Sequence, residues 1–254
     1  NKKKSFGFKK FFLALLTLFI VVFLGVGCGL VAIGLDGDKD VSDIHPPASS
    51  QILDMNGNLI TNIHATENRT LVTLDKIPAN LQNAFIAVED NRFYEHNGID
   101  PRGIFRAIYS NLTSGEVAEG GSTITQQLAK NAFLSQDRTF KRKIQEFFIA
   151  LRLERQYTKE EILEMYLNQI YFGRGAYGVQ AAAQTYFGKD VSQLDLSECA
   201  MLAGIPRSPN YYSPLNNLGA ANERKAEVLD QMVKYGYIDS TTAAKTKAES
   251  LRLV

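Results

Sequence analysis

Cysteine and histidine are scarce in this chain. Among 254 residues there are 2 cysteines, Cys28 and Cys199, and 3 histidines, His45, His64 and His96. With no C-x-x-C and no Cys/His cluster, a zinc site and a disulfide framework are both excluded. Any metal site would have to rest on carboxylates or phosphate. The two cysteines lie far apart, one inside an apolar run, and are not expected to pair. Neither Ser-x-x-Lys nor Lys-Thr-Gly occurs, which excludes the serine acyl-enzyme chemistry those motifs carry. No internal repeat is evident, and a net charge of +1 gives no reason to expect a nucleic-acid partner.

What is there is ordinary globular composition, 45% hydrophobic and 22% charged, which argues against wholesale disorder and leaves room for an ample core. The charge is uneven. Lys2, Lys3, Lys4, Lys9 and Lys10 precede a run from Phe11 to Leu35 that carries no charge. Removing those five from the 28 basic residues leaves 23 against 27 acidic. As a helix the uncharged run would span roughly 37 Å, enough to cross about 30 Å of hydrocarbon with some tilt. Lysines before it and Asp36, Asp38 and Asp40 after it predict a cytoplasmic tail over 1–10, a transmembrane helix over 11–35 and the remainder outside. A cleaved signal peptide is the bland alternative. The run is long for one, and the residue three before Cys28 is Gly25, not a lipobox leucine.

Residues 36–78 read as a linker and a β-hairpin, strands at 51–55 and 58–63 about Asn56-Gly57. A third short strand is expected at 69–74. After Pro78 the pattern is helical: a helix over 79–90 with Leu81, Phe85 and Val88 on one stripe, another from Ser122/Thr123, and a third over 139–156. That third helix carries Phe140, Ile144, Phe147 and Leu151 on one stripe. Thr158-Lys159-Glu160-Glu161 is a capping box opening a helix through Ile170. A glycine loop at 173–178 leads into an alanine-rich helix stopped by Gly188, and further helices run from Ser197 to Pro206 and over 220–235. The expected architecture is mainly α, with a domain over 79–240 and the start of a linker over 241–254.

Two stretches carry chemistry. Glu89-Asp90-Asn91-Arg92-Phe93-Tyr94-Glu95-His96-Asn97-Gly98 puts an acidic pair at the end of an apolar run. Desolvation disfavours a charged carboxyl, which suits Glu89 to proton transfer near neutral pH. Gly120-Gly121-Ser122-Thr123-Ile124-Thr125-Gln126-Gln127 supplies flexible backbone, hydroxyls and a helix start, the parts for binding an anion. On that helix Thr123, Gln127 and Lys130 share a face. Downstream, Arg138, Lys141, Arg142 and Lys143 form a dense basic cluster around Glu146, whose ionised form those cations favour. Each feature alone has a bland explanation as surface charge, helix cap or i,i+4 ion pairs. Four cations gathered on one acid in an otherwise acidic domain do not.

Together with Glu164-Met165-Tyr166-Leu167-Asn168-Gln169-Ile170-Tyr171-Phe172-Gly173 and Leu202-Ala203-Gly204-Ile205-Pro206, these stretches resemble the peptidoglycan glycosyltransferase module of class A penicillin-binding proteins and monofunctional peptidoglycan polymerases. The resemblance covers about 51 to 240, in order. It implies a lysozyme-like α fold with a main lobe, a membrane-facing jaw and a cleft between them. It implies polymerisation of lipid II onto an undecaprenyl-diphosphate-linked glycan, with Glu89 as general base and Glu146 as the second essential acid. Ser122, Thr123, Gln126, Gln127, Lys130, Arg138, Arg142 and Lys143 are the implied substrate-binding set, where moenomycin also binds. No cofactor is required, and a divalent cation, Mg or Mn, at the diphosphate is left open. The implied partners are lipid II, membrane lipid and other wall-synthesis proteins, at a bacterial cell membrane.

Phe133, Leu134 and Phe140 flank the basic cluster and suit either the lipid-facing jaw or the core. His96 is expected to have a structural role, Arg92 either role, and 113–121 to be mobile without substrate. A lysozyme-like hydrolase of the same glycan predicts acid-lined sugar subsites and needs neither diphosphate binding nor an anchor. A non-catalytic scaffold would lack a catalytic acid, and both acids are present. The lack of an initiating Met and the stop at Ser250-Leu251-Arg252-Leu253-Val254 suggest the N-terminal part of a longer, bifunctional chain.

Overall fold

The computed structural model describes residues 68–114, 120–134 and 139–254, the strands Ser50–Leu53 and Leu59–Ile63, and the single residues Gly29, Val41 and Met55. The expected tail, the apolar run and most of the linker lie outside the described residues, as do Arg138 and residues 115–119 of the segment expected to be mobile. Among the described residues no helix is long and apolar enough to cross a membrane.

Strands β1 (Ser50–Leu53) and β2 (Leu59–Ile63) pair antiparallel with a bulge between Ile52 and Leu53, the hairpin that Asn-Gly predicts. The expected third strand is shorter and pairs elsewhere. β3 (Asn68–Arg69) lies parallel to β4 (Ala176–Tyr177), far along the chain. Residues 70–76 follow without further ladder, held by side chains of a later helix.

Nine helices follow among the described residues: α1 (Ala79–Glu89), α2 (Pro101–Ser114), α3 (Ile124–Phe133), α4 (Phe140–Gln156), α5 (Lys159–Gln169), α6 (Val179–Phe187), α7 (Leu196–Gly204), α8 (Leu218–Lys234) and α9 (Ser240–Ala248). Their starts follow from local chemistry. Thr123, Thr158 and Asp195 each accept from the backbone N–H three residues on, while the side chain of that residue returns a bond, which closes capping boxes on α3, α5 and α7. Gly188 ends α6 in the left-handed conformation, φ 65°. Gly178, φ 79°, has no alternative residue: a Cβ there would stand 2.7 Å from the Asn168 carbonyl oxygen.

One core joins α1, α3, α5, α6, α7 and α8 through Leu81, Phe85, Leu128, Leu163, Tyr166, Ala182, Leu202 and Leu229. Helix α4 shows where the stripe argument fails. Its buried residues are Glu146, Ile149, Ala150 and Leu153, while Phe140 is exposed and Phe147 partly so. The apolar stripe read from the sequence therefore faces largely outward. Helix α2, to which the sequence analysis assigned no element, turns Phe105, Ile108, Tyr109 and Leu112 to solvent. Helix α9 starts at the boundary expected for a linker and packs against α8. There the buried Lys225 ammonium donates to the Ser197 hydroxyl and to the carbonyls of Thr246 and Glu249. Burial pushes the Lys225 pKa down.

Candidate active site

Helix α1 stops at Asp90, whose backbone turns away with φ −161° and ψ 74°. The two adjacent carboxylates then separate. Asp90 is buried, accepts from the His96 Nε2 side at 2.9 Å on both oxygens, and accepts the Ile124 N–H at 3.0 Å. It thereby caps the N-terminus of α3, where negative charge is favoured. His96 has the structural role expected of it. Arg92 is structural too: its Nε donates to Asp100 Oδ2 at 3.2 Å and its Nη2 to Oδ1. Burial alone would push the Asp100 pKa up, but the Arg92 guanidinium and the Gly103 N–H outweigh it and hold this carboxyl below its ordinary value.

Glu89 is left half-buried with one partner. Gln127 Nε2 donates to its Oε2 at 2.7 Å, and Oε1 makes no hydrogen bond among the described residues. Behind Gln127, the Tyr166 hydroxyl donates to Oε1 of the amide at 3.3 Å. Two cavities flank this Glu89–Gln127 bond. One, of about 320 Å³, is lined by Glu89, Arg106, Arg207, Arg224 and Glu227. The other, of about 690 Å³, is lined by Gln127, Lys130, Arg69, Tyr171 and Tyr177.

Lys130 brings one cation to the second cavity, and the basic cluster of α4 is tied to the start of the same helix. Glu146 is buried on α4, and Lys143 one turn earlier forms an ion pair with it and donates to Ser122 Oγ at 2.8 Å. This joins the helix carrying Glu146 to the glycine-rich segment before α3. Lys130 is half-buried and makes no hydrogen bond among the described residues. Burial pushes its pKa down; Glu146 draws it back up, Arg142 and Lys143 depress it, and Glu89 draws it up. Lys130 thus feels both acids and both neighbouring cations.

A family model described as Transglycosylase matches residues 56–233. Penicillin-binding protein 1F of Bacillus subtilis is 45% identical over 249 residues, covering 96% of this chain and 34% of that protein. Penicillin-binding protein 1A of Escherichia coli is 46% identical over 247 residues, covering 96% and 29%. The chain belongs to the transglycosylase family. It spans about a third of the length of the curated relatives it matches. A crystal structure of penicillin-binding protein 1A from Haemophilus influenzae matches at 27% identity over 82% of this chain and 22% of that one, with a TM-score of 0.49.

In this member of the family the residues singled out from sequence fall into three groups. Glu89, Gln127, Lys130, Arg142, Lys143, Glu146 and Ser122 come together as described. Thr123 and Gln126 are buried and close the capping box of α3, with Thr123 Oγ1 also donating to the Gly98 carbonyl at 2.6 Å. They hold the helix start, Gln126 through its Oε1. Arg138 lies outside the described residues.

Tyr166, Glu164 and Asn168 had no individual role in the sequence analysis. Glu164 accepts from Leu74 N at 2.7 Å, and Asn168 accepts from Val72 N and donates to Val72 O. Together they clamp the segment before α1. Their spacing on α5 was visible, but their partners lie too far away in sequence for any local signal.

Proposed function

We propose that the chain is a peptidoglycan glycosyltransferase that joins lipid II units into a β-1,4 glycan and releases undecaprenyl diphosphate. The observation that carries this reading is the placement of Gln127, which holds Glu89, and of Lys130 on one helix, α3, whose start is tied through Ser122 to the Lys143–Glu146 pair. An α-linked diphosphate donor and a β-linked product require one inverting displacement. The free Oε1 of Glu89 takes the proton of the acceptor 4-hydroxyl as that oxygen bonds to the donor C1. The bond from C1 to the diphosphate breaks, and its electron pair leaves with the diphosphate. Lys130, Arg142 and Lys143 meet the charge that develops there, a stabilisation strengthened where water is excluded. The cavity lined by Glu89 suits the acceptor, and the one lined by Gln127 and Lys130 suits the donor.

A resident metal does not fit this basic cluster. Among the described residues no group of three His, Cys, Asp or Glu side chains could hold an ion, and Glu146 is already paired with Lys143. The cations themselves carry the charge stabilisation in this reading. A membrane-facing jaw is supported by α2, whose outward Phe105, Ile108, Tyr109 and Leu112 form one stripe beside the exposed Arg102. That stripe, rather than Phe133 and Leu134, which pack on the core, is the lipid-facing surface. It agrees with an anchor at 11–35 and a catalytic domain outside the cell membrane.

Incubation of the purified chain with lipid II tests the reading. Lysozyme-sensitive polymer and free undecaprenyl diphosphate are expected. Shortening of preformed glycan with no diphosphate release would instead support the hydrolase.

A further inference from the structure

The buried phenol behind the catalytic acid has no place in the mechanism so far. Tyr166 is fully buried on α5, its ring edge-on to Phe85 at 6.0 Å, and Phe85 is itself edge-on to Phe172 at 6.1 Å. Phe85 precedes Glu89 by four residues, so the two share a face of α1. The ring is fixed by packing, and among the described residues its hydroxyl makes a single hydrogen bond, to Gln127 Oε1 at 3.3 Å. Gln127 then turns its NH2 group to Glu89 Oε2 at 2.7 Å. We infer that Tyr166 is a positioning residue for glycosyl transfer: it sets the direction of the Gln127 amide and thereby holds the Glu89 carboxylate aimed into the cleft.

The amide has two orientations of equal shape, and only one satisfies both neighbours. Reversed, its oxygen would meet a carboxylate oxygen, acceptor against acceptor, and the buried phenol would lose the acceptor it needs. The phenol cannot solve the conflict by ionising. Burial, then the negative charges of Glu89 and Asp90, push its pKa well above the ordinary value, so it remains a donor. A bond from an N–H to a carboxylate favours the charged form, and the charged form is the one that accepts a proton. A tyrosine that merely filled the core would need its ring and not this hydroxyl.

The inference rests on Glu89 acting as the base, and the test separates the two. Lipid II polymerisation is followed against pH for the wild type, Tyr166→Phe, Gln127→Ala, the double variant and Glu89→Gln, with thermal unfolding recorded for each. Tyr166→Phe is expected to lower kcat about fivefold, the size of one hydrogen bond between uncharged groups. KM should be unchanged, and the acid limb of the kcat profile should move to higher pH. Gln127→Ala should move the limb the same way, and it reports the effect even if Tyr166→Phe does not fold. Adding Tyr166→Phe to Gln127→Ala should cost nothing more, because the hydroxyl acts only through that amide. An unmoved limb, or losses that multiply in the double variant, overturns the role of Tyr166. Activity retained in Glu89→Gln overturns the base and the inference together.

Discussion

Lys130 is the residue where the balance of charge in the site is most directly readable. Its pKa is depressed because burial, helped by two neighbouring cations, outweighs the two acids. A bound diphosphate would favour the charged ammonium and restore that pKa towards 10.5. Between the depressed and restored values, binding takes up a proton, so affinity falls as pH rises through that window. Calorimetry of moenomycin binding at alkaline pH, in buffers of different ionisation enthalpy, should show this uptake in the wild type and lose it in Lys130→Ala. Lys130→Ala should also weaken binding about tenfold or more, the cost of one charge-assisted contact. Glu146→Gln removes the anion that Lys143 pairs with. It is expected to lower kcat by about 10² or more, read as polymer formed per folded enzyme. Single residues were legible in the sequence where the chemistry is local: Glu89 at the end of an apolar run, cations one turn from Glu146. Gln127 shows the limit. Its residue type and helix face suggested a substrate contact, and only the folded chain brings it onto Glu89.

At the scale of elements, helices with caps and inward stripes were legible, and those held by other means were not. Helix α2 does carry a signal, Pro101 at its start and apolar residues at 105, 108, 109 and 112, but its stripe points outward and so contributes no core. Replacing Phe105 and Leu112 by Ser should leave the unfolding temperature nearly unchanged, since both are exposed, and should reduce co-sedimentation with anionic vesicles. Helix α9 is rich in Ala, Thr and Lys and has no such stripe. It is held by Ala243 in the core and by the Lys225 ammonium at its C-terminal end. The β3–β4 pairing could not be read, because two residues at each end of a long separation carry no pattern. The loop between α1 and α2 makes a pH prediction. Asp100 has a folded pKa below its ordinary 3.8, so the stability it contributes is complete above that value and is lost as pH falls through the folded pKa. Urea unfolding should show Asp100→Asn less stable than wild type at pH 6, with the gap closing below pH 3.8.

For the whole molecule, the helical core sets Glu89 of α1 at one cavity and Lys130 of α3 at another, with the α4 pair Lys143–Glu146 tied to the start of α3, while α2 turns an apolar face outward. The mainly α class, most helices and the acid pair of the site were legible because they depend on periodicity, caps and residue type. The arrangement of the two cavities was not, since it depends on which helices pack together. In the proposed reaction all these parts act on one substrate pair, and Glu89 is the part proposed to act on the proton. The direct measurement is the rate of polymer formation from lipid II by the wild type and by Glu89→Gln, with folding verified by circular dichroism. The account predicts polymer from the wild type and a loss of at least about 10² in the variant, the size of a general base. Polymer formed at comparable rates by both would contradict it.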